Sequence, residues 1–338
     1  MRAIGFEQPG DIDRDRSLVD IELPIPTPTG RDILVEVKAV SVNPVDVKVR
    51  HSVQPKSSQW KVLGWDAAGV VSAVGSEVML FQPGDEVFYA GAIARPGTNA
   101  EYHLVDERLV GMKPKTLDWA AAAALPLTSL TAWEMMFDRL DVRKAVPGAA
   151  PAILIIGGAG GVGSIAIQMA RQLTDLTVIA TASRPETVAW AQAMGAHHVI
   201  DHSLPLTDEI VKLGLGAPAF VFATTQTDRH IEDIAESIAP QGRWGLIDDP
   251  ATLDIIKFKR KSVSVHWELM FTRSIFNTPD IAEQGKILNE VSRLVDAGVL
   301  KTTMTEKYTP INAANLKQVH TLIESGKARG KIVLAGFE

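Results

Sequence analysis

Between residues 150 and 270 short apolar runs alternate with segments of helical period, and that alternation predicts a doubly wound parallel sheet. Ile153-Leu154-Ile155-Ile156 is an apolar run in which β-branched residues flank a Leu, as suits a strand buried on both faces. Glycines follow at 157, 158, 160, 161 and 163. Val162, Ala166, Met169, Ala170 and Leu173 then recur at three- and four-residue steps, one face of a helix. Strands are expected at 177–181, 198–200, 219–223 and 243–247, with a last one at 262–266. Helices are expected at 186–194, ended by Gly195 as C-cap, and at 207–213 and 228–238.

The flanks read differently. Up to about residue 125 the chain is mainly β. Residues 32–40 partly alternate, with Glu36 and Lys38 facing one way, and 70–75 and 86–89 are further short runs. Pro24, Pro26, Pro28, Gly30, Pro83 and Gly84 punctuate them as turns, and no helical period persists. Residues 119–125 are alanine-rich and 128–140 predict a helix. The tail holds a long helix at 281–297, a shorter one at 312–324 and a strand at 331–334. A β–α block between a β-rich start and a mixed tail implies an insertion. The expected division is 1–125 with 278–338 as one domain and 126–277 as the other.

A chain of 338 residues is too long for one ordinary core, which agrees with two domains. Net charge is −6, which argues against nucleic acid or an anionic membrane as partner. No run is long and apolar enough to span a bilayer, and the N-terminus lacks a secretory pattern, so a cytoplasmic location is expected. The chain has no cysteine, hence no disulfide, no thiolate nucleophile and no cysteine-ligated zinc.

Strand, glycine turn and helix in that order give Gly158, Gly160 and Gly163 the meaning of a dinucleotide fingerprint. The first glycine is expected to allow the tight turn. The second admits a pyrophosphate to backbone, and the third lets helix pack on strand. Gly161 and Val162 open the helix, whose free N–H groups and partial positive charge favour phosphate. The tip of the next strand selects the cofactor. Ser183 lies about 20 residues beyond Gly163 and Arg184 follows it, with no acid at the tip. A hydroxyl and a guanidinium suit a 2′-phosphate, so NADPH is expected over NADH. The alternative is that Ser183 caps the following helix, with Glu186 completing a capping box.

Several motifs together resemble the medium-chain dehydrogenase/reductase superfamily, in its zinc-free quinone oxidoreductase branch that includes zeta-crystallin, with particular likeness to bacterial zinc-type alcohol dehydrogenase-like proteins. They are Asn43-Pro44-Val45-Asp46, Gly64-Trp65-Asp66-Ala67-Ala68-Gly69-Val70-Val71 with Gly75, and Phe81-Gln82-Pro83-Gly84-Asp85-Glu86-Val87. Leu125-Pro126-Leu127-Thr128-Ser129-Leu130-Thr131-Ala132-Trp133, the glycines at 157–163 and Gly330-Lys331-Ile332-Val333-Leu334 complete the set. The likeness covers essentially the whole chain. It implies an α/β protein with a GroES-like catalytic domain built from both chain ends, a Rossmann domain between, a cofactor cleft, and a homodimer or homotetramer.

Zinc members hold their catalytic metal with Cys, His and Cys, often beside a Glu. The matching positions here are Asn43, Trp65 and roughly Leu127, with Asp66 in the Glu place, so no metal is expected. The eight histidines read as surface or satisfied core positions. Without zinc to polarise an oxygen, a simple alcohol is a poor substrate. A quinone or α,β-unsaturated carbonyl remains feasible, because conjugation spreads the charge that arrives with hydride. The resemblance places Asn43 beside the nicotinamide ribose and substrate, and its alternative is a turn residue before Pro44. Where zeta-crystallin relatives have a Tyr, Lys48 stands here and could steady an enolate or give a proton if buried. Thr131 matches a position that meets the nicotinamide. Trp65, Tyr89 and Trp133 are candidates for the substrate wall, with core packing as their alternative. Lys331 is a candidate for reaching the cofactor, against a solvated lysine at a strand edge. Two other readings stay open: a zinc alcohol dehydrogenase with unusual ligands, and a low-turnover NADPH-binding sensor or structural protein.

Overall fold

The computed structural model describes residues 1–56 and 59–337. They fall into two compact units, one drawn from Met1–Leu130 and Phe271–Glu338, the other from Thr131–Met270. The divisions expected from sequence stood at 125/126 and 277/278.

In chain order the first unit opens with β1 (Arg2–Phe6), β2 (Val19–Glu22), β3 (Asp32–Val42), α1 (Pro44–Ser52), β4 (Lys61–Val62), β5 (Ala67–Val74), β6 (Glu86–Tyr89), β7 (Tyr102–Asp106), β8 (Val110–Met112) and α2 (Trp119–Ala123). Its spine is β3. Glu36 and Lys38 are partly exposed and pair with each other, while most of the rest of the strand is buried. One edge of β3 bonds β5. Its other edge is shared, with β7 along residues 32–36 and the last strand of the chain along residues 39–42.

Helix α1 departs from the expectation that no helical period persists in this mainly β region. Asn43 is its N-cap, Pro44 stands at the first helical position, and Asp46 at N3 accepts from the Asn43 N–H at 2.8 Å. Those are helix-start signals. They were hidden because Lys48, Arg50 and His51 break up the valines. Arg50 is nevertheless buried, its guanidinium donating to Gly10 O (2.6 Å) and pairing with Glu324.

From α3 (Pro126–Trp133) the chain enters the second unit. A π-helical stretch at Glu134–Arg139 stands where a continuous α-helix to residue 140 was expected, and the Leu140 N–H donates to Met135 O. Then come β9 (Ala150–Ile156), α4 (Gly161–Leu173), β10 (Thr177–Thr181), α5 (Pro185–Ala193), β11 (His198–Ile200), α6 (Leu206–Leu213), β12 (Pro218–Ala223), α7 (Thr227–Ser237), β13 (Arg243–Leu246) and β14 (Ser264–Trp267). The last strand starts two residues later than expected, because Ser262 takes a left-handed conformation (φ +51°). All neighbours in this sheet run parallel, in the order β11-β10-β9-β12-β13-β14. The order reverses between β9 and β12, the kind of place where such sheets bind ligands.

The chain returns to the first unit with α8 (Thr272–Phe276), α9 (Glu283–Asp296), β15 (Met304–Tyr308), α10 (Ala313–Glu324) and β16 (Lys331–Ala335). Strand β16 lies between β15 and β3, with Ile332 opposite Val42. Among the described residues no helix is long and apolar enough to cross a membrane.

The second unit carries one unusual carboxyl group. Glu268, just past β14, is buried and pushed up to about 8, chiefly by burial and then by the nearby Glu134 charge, with Arg139 at 2.8 Å pulling it back. Its folded value lies above its unfolded one, so stability is fullest below about pH 4.5 and declines as pH rises toward 8. Thermal unfolding from about pH 7 to 9, above the ordinary histidine range, where the buried His103 and His320 would tilt the curve the other way, should therefore show a falling midpoint, and Glu134→Gln should flatten the fall. An unchanged slope in Glu134→Gln would remove the pair as its cause.

Candidate functional site

The glycine turn joins β9 to α4. The residue with positive φ is Gly157 (+82°), where a Cβ would stand 2.4 Å from Thr224 Oγ1. The tight turn is thus made one residue before the motif, and not at Gly158 as expected. Gly158 is needed for space, since its Cβ would stand 2.8 Å from Ala180 Cβ on β10. At Gly163 a Cβ would meet Gly157 O at 2.3 Å and Gly158 Cα at 2.8 Å, so this glycine lets the helix lie against the turn. Gly160 is the N-cap of α4, with φ −74°, and a Cβ there meets only Gly157 O, at 3.4 Å. The first N–H groups of α4, at Gly161, Val162 and Gly163, have no acceptor within their own helix. Backbone donors, the positive end of a 13-residue helix and a turn whose largest side chain is Val162 fit a pyrophosphate.

Thr181 ends β10 and ties its tip to this turn. Its Oγ1 accepts from the Gly157 N–H at 3.0 Å, and its carbonyl accepts from the Gly158 N–H at 3.1 Å. Ser183 does not cap α5, in contrast to the alternative drawn from sequence. With Pro185 at the first helical position, the N-cap falls on Arg184, and Thr187 Oγ1 accepts from the Arg184 N–H at 3.2 Å. Ser183 Oγ lies instead 3.1 Å from His202 Nε2, and His202 Nδ1 lies 3.3 Å from Thr181 Oγ1. Parallel pairing of β10 with β11 brings them together. Arg184 Nε pairs with Glu186 at 3.1 Å, but the side chains are 38% and 56% exposed, so the pair is weak and exchangeable. Burial, then the charges of Arg229 and Arg184, hold His202 below its ordinary value, with Asp201 opposing them. His198 and His202 are four residues apart, but 198–200 is strand, so they share no helical face.

In the first unit the structure joins Asn43, Asp46, Asp66 and Lys331 in one buried polar cluster. Asn43 Nδ2 donates to Asp66 Oδ2 at 2.7 Å and approaches Ser41 O at 3.5 Å. Asn43 Oδ1 accepts from Lys331 Nζ, which also donates to Val42 O and Asp66 Oδ2, each at 3.0 Å. The other Asp66 oxygen accepts from the Leu127 N–H at 2.7 Å. Asp46 accepts from Asn43 N–H and Gly64 N–H, each at 2.8 Å. Burial pushes Asp46 up to about 7, against the pull of those N–H groups and of Lys331. Burial also pushes Asp66 upward, and Lys331, Asn43 and Leu127 draw it back.

Lys331 is 3% exposed and lies on an inner strand, which overturns the solvated-edge reading. Its three N–H bonds match three acceptors inside this unit. Asn43 is likewise more than a turn residue, since its amide is held from both ends. The cluster has no place for zinc. Asn43, Trp65 and Leu127 offer no thiolate or imidazole, and the Asp66 carboxylate is engaged by an ammonium, an amide and a backbone N–H. Among the described residues no three His, Cys, Asp or Glu side chains are grouped to hold a metal ion.

The remaining candidates are placed as follows. Lys48 is exposed on α1, without the burial on which its proton-donor role was conditioned. Thr131 is buried in α3. Trp65 is buried edge-on to Phe271, ring centroids 6.2 Å apart. Tyr89 has no exposed surface; it stacks on His103 at 5.5 Å and meets its Nδ1 through the hydroxyl at 3.1 Å. That placement is core packing and leaves no ring face for a substrate. Trp133 is half-buried against Phe137, 4.9 Å between centroids.

Comparison with known proteins adds to this geometry. Residues 29–115 match the family model described as alcohol dehydrogenase GroES-like domain, and residues 194–334 the one described as zinc-binding dehydrogenase. A crystal structure from Rhizobium etli CFN 42, provisionally named a zinc-dependent alcohol dehydrogenase, is 71% identical with a TM-score of 0.99, covering 100% of this chain and 98% of that one. A zinc-type alcohol dehydrogenase-like protein of Staphylococcus aureus (strain MSSA476) is 38% identical over 336 residues, 99% of each chain. The structure of the quinone oxidoreductase of Coxiella burnetii is 27% identical with a TM-score of 0.81, covering 100% of this chain and 99% of that one.

Proposed function

Because this chain belongs to the medium-chain dehydrogenase/reductase superfamily, as an oxidoreductase with a GroES-like and a Rossmann-like domain, we propose that it uses NADPH to reduce quinones or α,β-unsaturated carbonyls without a metal ion. One observation carries the metal-free reading. At the positions where zinc relatives coordinate their metal, a lysine ammonium is locked between Asn43 and Asp66. The zinc in the names of the relatives is not matched by a donor set among the described residues.

NADPH, when bound, supplies a hydride. The chain's residues hold and orient it. The turn at 157–163 takes the pyrophosphate, with Gly160 leaving room and α4 offering N–H groups. Ser183 and Arg184 take the 2′-phosphate, the guanidinium leaving Glu186 for a stronger partner. A conjugated acceptor would spread the charge arriving with that hydride onto its own oxygen. Binding and orientation then do most of the work. Asn43 and Lys331 hold the Asp66 carboxylate in place in the first unit. Solvent completes the reaction with a proton.

Purified protein should oxidise NADPH with a panel of quinones and enones, and should keep that activity after chelation. Stoichiometric zinc, or activity lost to a chelator and restored by zinc, would overturn the metal-free reading. Arg184→Ala should weaken NADPH binding roughly 100-fold while moving NADH less than about threefold. Equal losses for both cofactors would remove Arg184 from the phosphate site.

A further inference from the structure

We propose that His202 is a positioning residue for the 2′-phosphate, acting through Ser183, and that it takes up a proton when NADPH binds. The inference rests on the reading of Ser183 and Arg184 as the 2′-phosphate site.

The hydrogen bonds form a relay. Thr181 Oγ1 accepts from the Gly157 N–H, which leaves its own O–H to donate to His202 Nδ1. The Nε2–H of the neutral ring then donates to Ser183 Oγ. Ser183 is left with an O–H to give to a phosphate oxygen. When the ring gains a second proton, Nδ1–H donates to Thr181 Oγ1, whose remaining lone pair accepts it. Both ring nitrogens keep the same neighbours in the two charge states, so the ring can change charge without moving, and only the Thr181 O–H turns away from Nδ1.

The charges around the ring set the direction. On its own loop stands Asp201, and α5 begins with Arg184. From α7 come Arg229 and the buried His230, whose ring is 6.4 Å from that of His202. In the free protein, burial and the two arginines disfavour the imidazolium. A phosphate carrying close to two negative charges, seated on Ser183 and Arg184, offsets both arginines and favours it. Proton uptake follows, and NADPH affinity strengthens as pH falls through the value His202 has in the complex. NADH has no 2′-phosphate and induces no such uptake. The phosphate itself titrates near pH 6 and would release protons on binding as a dianion. That release is common to wild type and variants, so their difference isolates the ring.

The test is calorimetric titration of the full chain with NADPH and with NADH, in buffers of different ionisation enthalpy, from about pH 6 to 8. Compared with His202→Gln, the wild type should take up an additional fraction of a proton with NADPH and none with NADH. His202→Gln should weaken NADPH roughly tenfold near pH 6 and less than about threefold near pH 8, with NADH moved less than twofold. Ser183→Ala, which keeps the histidine but cuts its link to the phosphate, should reduce the uptake as well. If the wild type prefers NADPH and His202→Gln shows the same proton uptake and pH profile, His202 has no such role, while the Ser183–Arg184 site stands. If the wild type binds the two cofactors equally, the 2′-phosphate reading itself falls, and this inference with it.

Discussion

Lys331→Met should lower the unfolding free energy by about 3–5 kcal/mol near pH 8, the cost typical of breaking a buried ion pair from one side. The side chains lose little packing, because Met keeps most of the volume. What is lost is the cation. Asp66 remains with no exposed surface, and its Oδ2 keeps only the Asn43 amide. Val42 O and Asn43 Oδ1 lose a donor each. Asp66 is already pushed upward by burial, and without the ammonium it is pushed further. A raised acid gains stability as pH falls, so the variant should recover part of the loss between about pH 8 and 5. Urea unfolding at the two values checks this. Asp66→Asn on the Lys331→Met background should restore more than half of the loss, since it removes the stranded charge. A single-variant loss under about 1 kcal/mol at pH 8 would mean that the pair is not buried as described.

Much of the second unit could be read from sequence because its strands are covered on both faces. Residues 153–156 and 177–181 are unbroken apolar or β-branched runs, and the structure places strands there within a few residues. The first unit was less legible. α1 is short and carries charged residues, and Arg50 is buried where Gly10 O and Glu324, both remote in sequence, meet its guanidinium. The Asn43-Pro44-Val45-Asp46 capping signature is present, but in sequence it reads as a family mark or as a turn before Pro44. Lys331 shows the same limit. Its partners at 42, 43 and 66 are remote in sequence, and only the pairing of β16 with β3 brings them within reach. His202 carried no local signal, since Ser183 becomes its neighbour through the β10–β11 register.

The glycine turn permits the sharpest separation of folding from binding. Gly163→Ala puts a Cβ 2.3 Å from Gly157 O and 2.8 Å from Gly158 Cα, and neither is the end of a flexible side chain. The turn and α4 must move apart, so stability should fall by about 1–3 kcal/mol. Cofactor affinity should fall with it, roughly 100-fold or more, because the helix N–H groups leave the phosphate position. Gly160→Ala is the opposite case. Its φ of −74° suits an alanine, and the added carbon meets only Gly157 O, at 3.4 Å. Unfolding should therefore change by less than about 1 kcal/mol. If the pyrophosphate lies against backbone here, the methyl group nevertheless stands in its place, and affinity for NADPH and NADH alike should fall at least about tenfold. Urea unfolding and cofactor titration of the two variants give four numbers. Only a fall in three of them, with Gly160→Ala stability spared, agrees with a phosphate held on this turn. Wild-type cofactor affinity in Gly160→Ala would place the dinucleotide elsewhere.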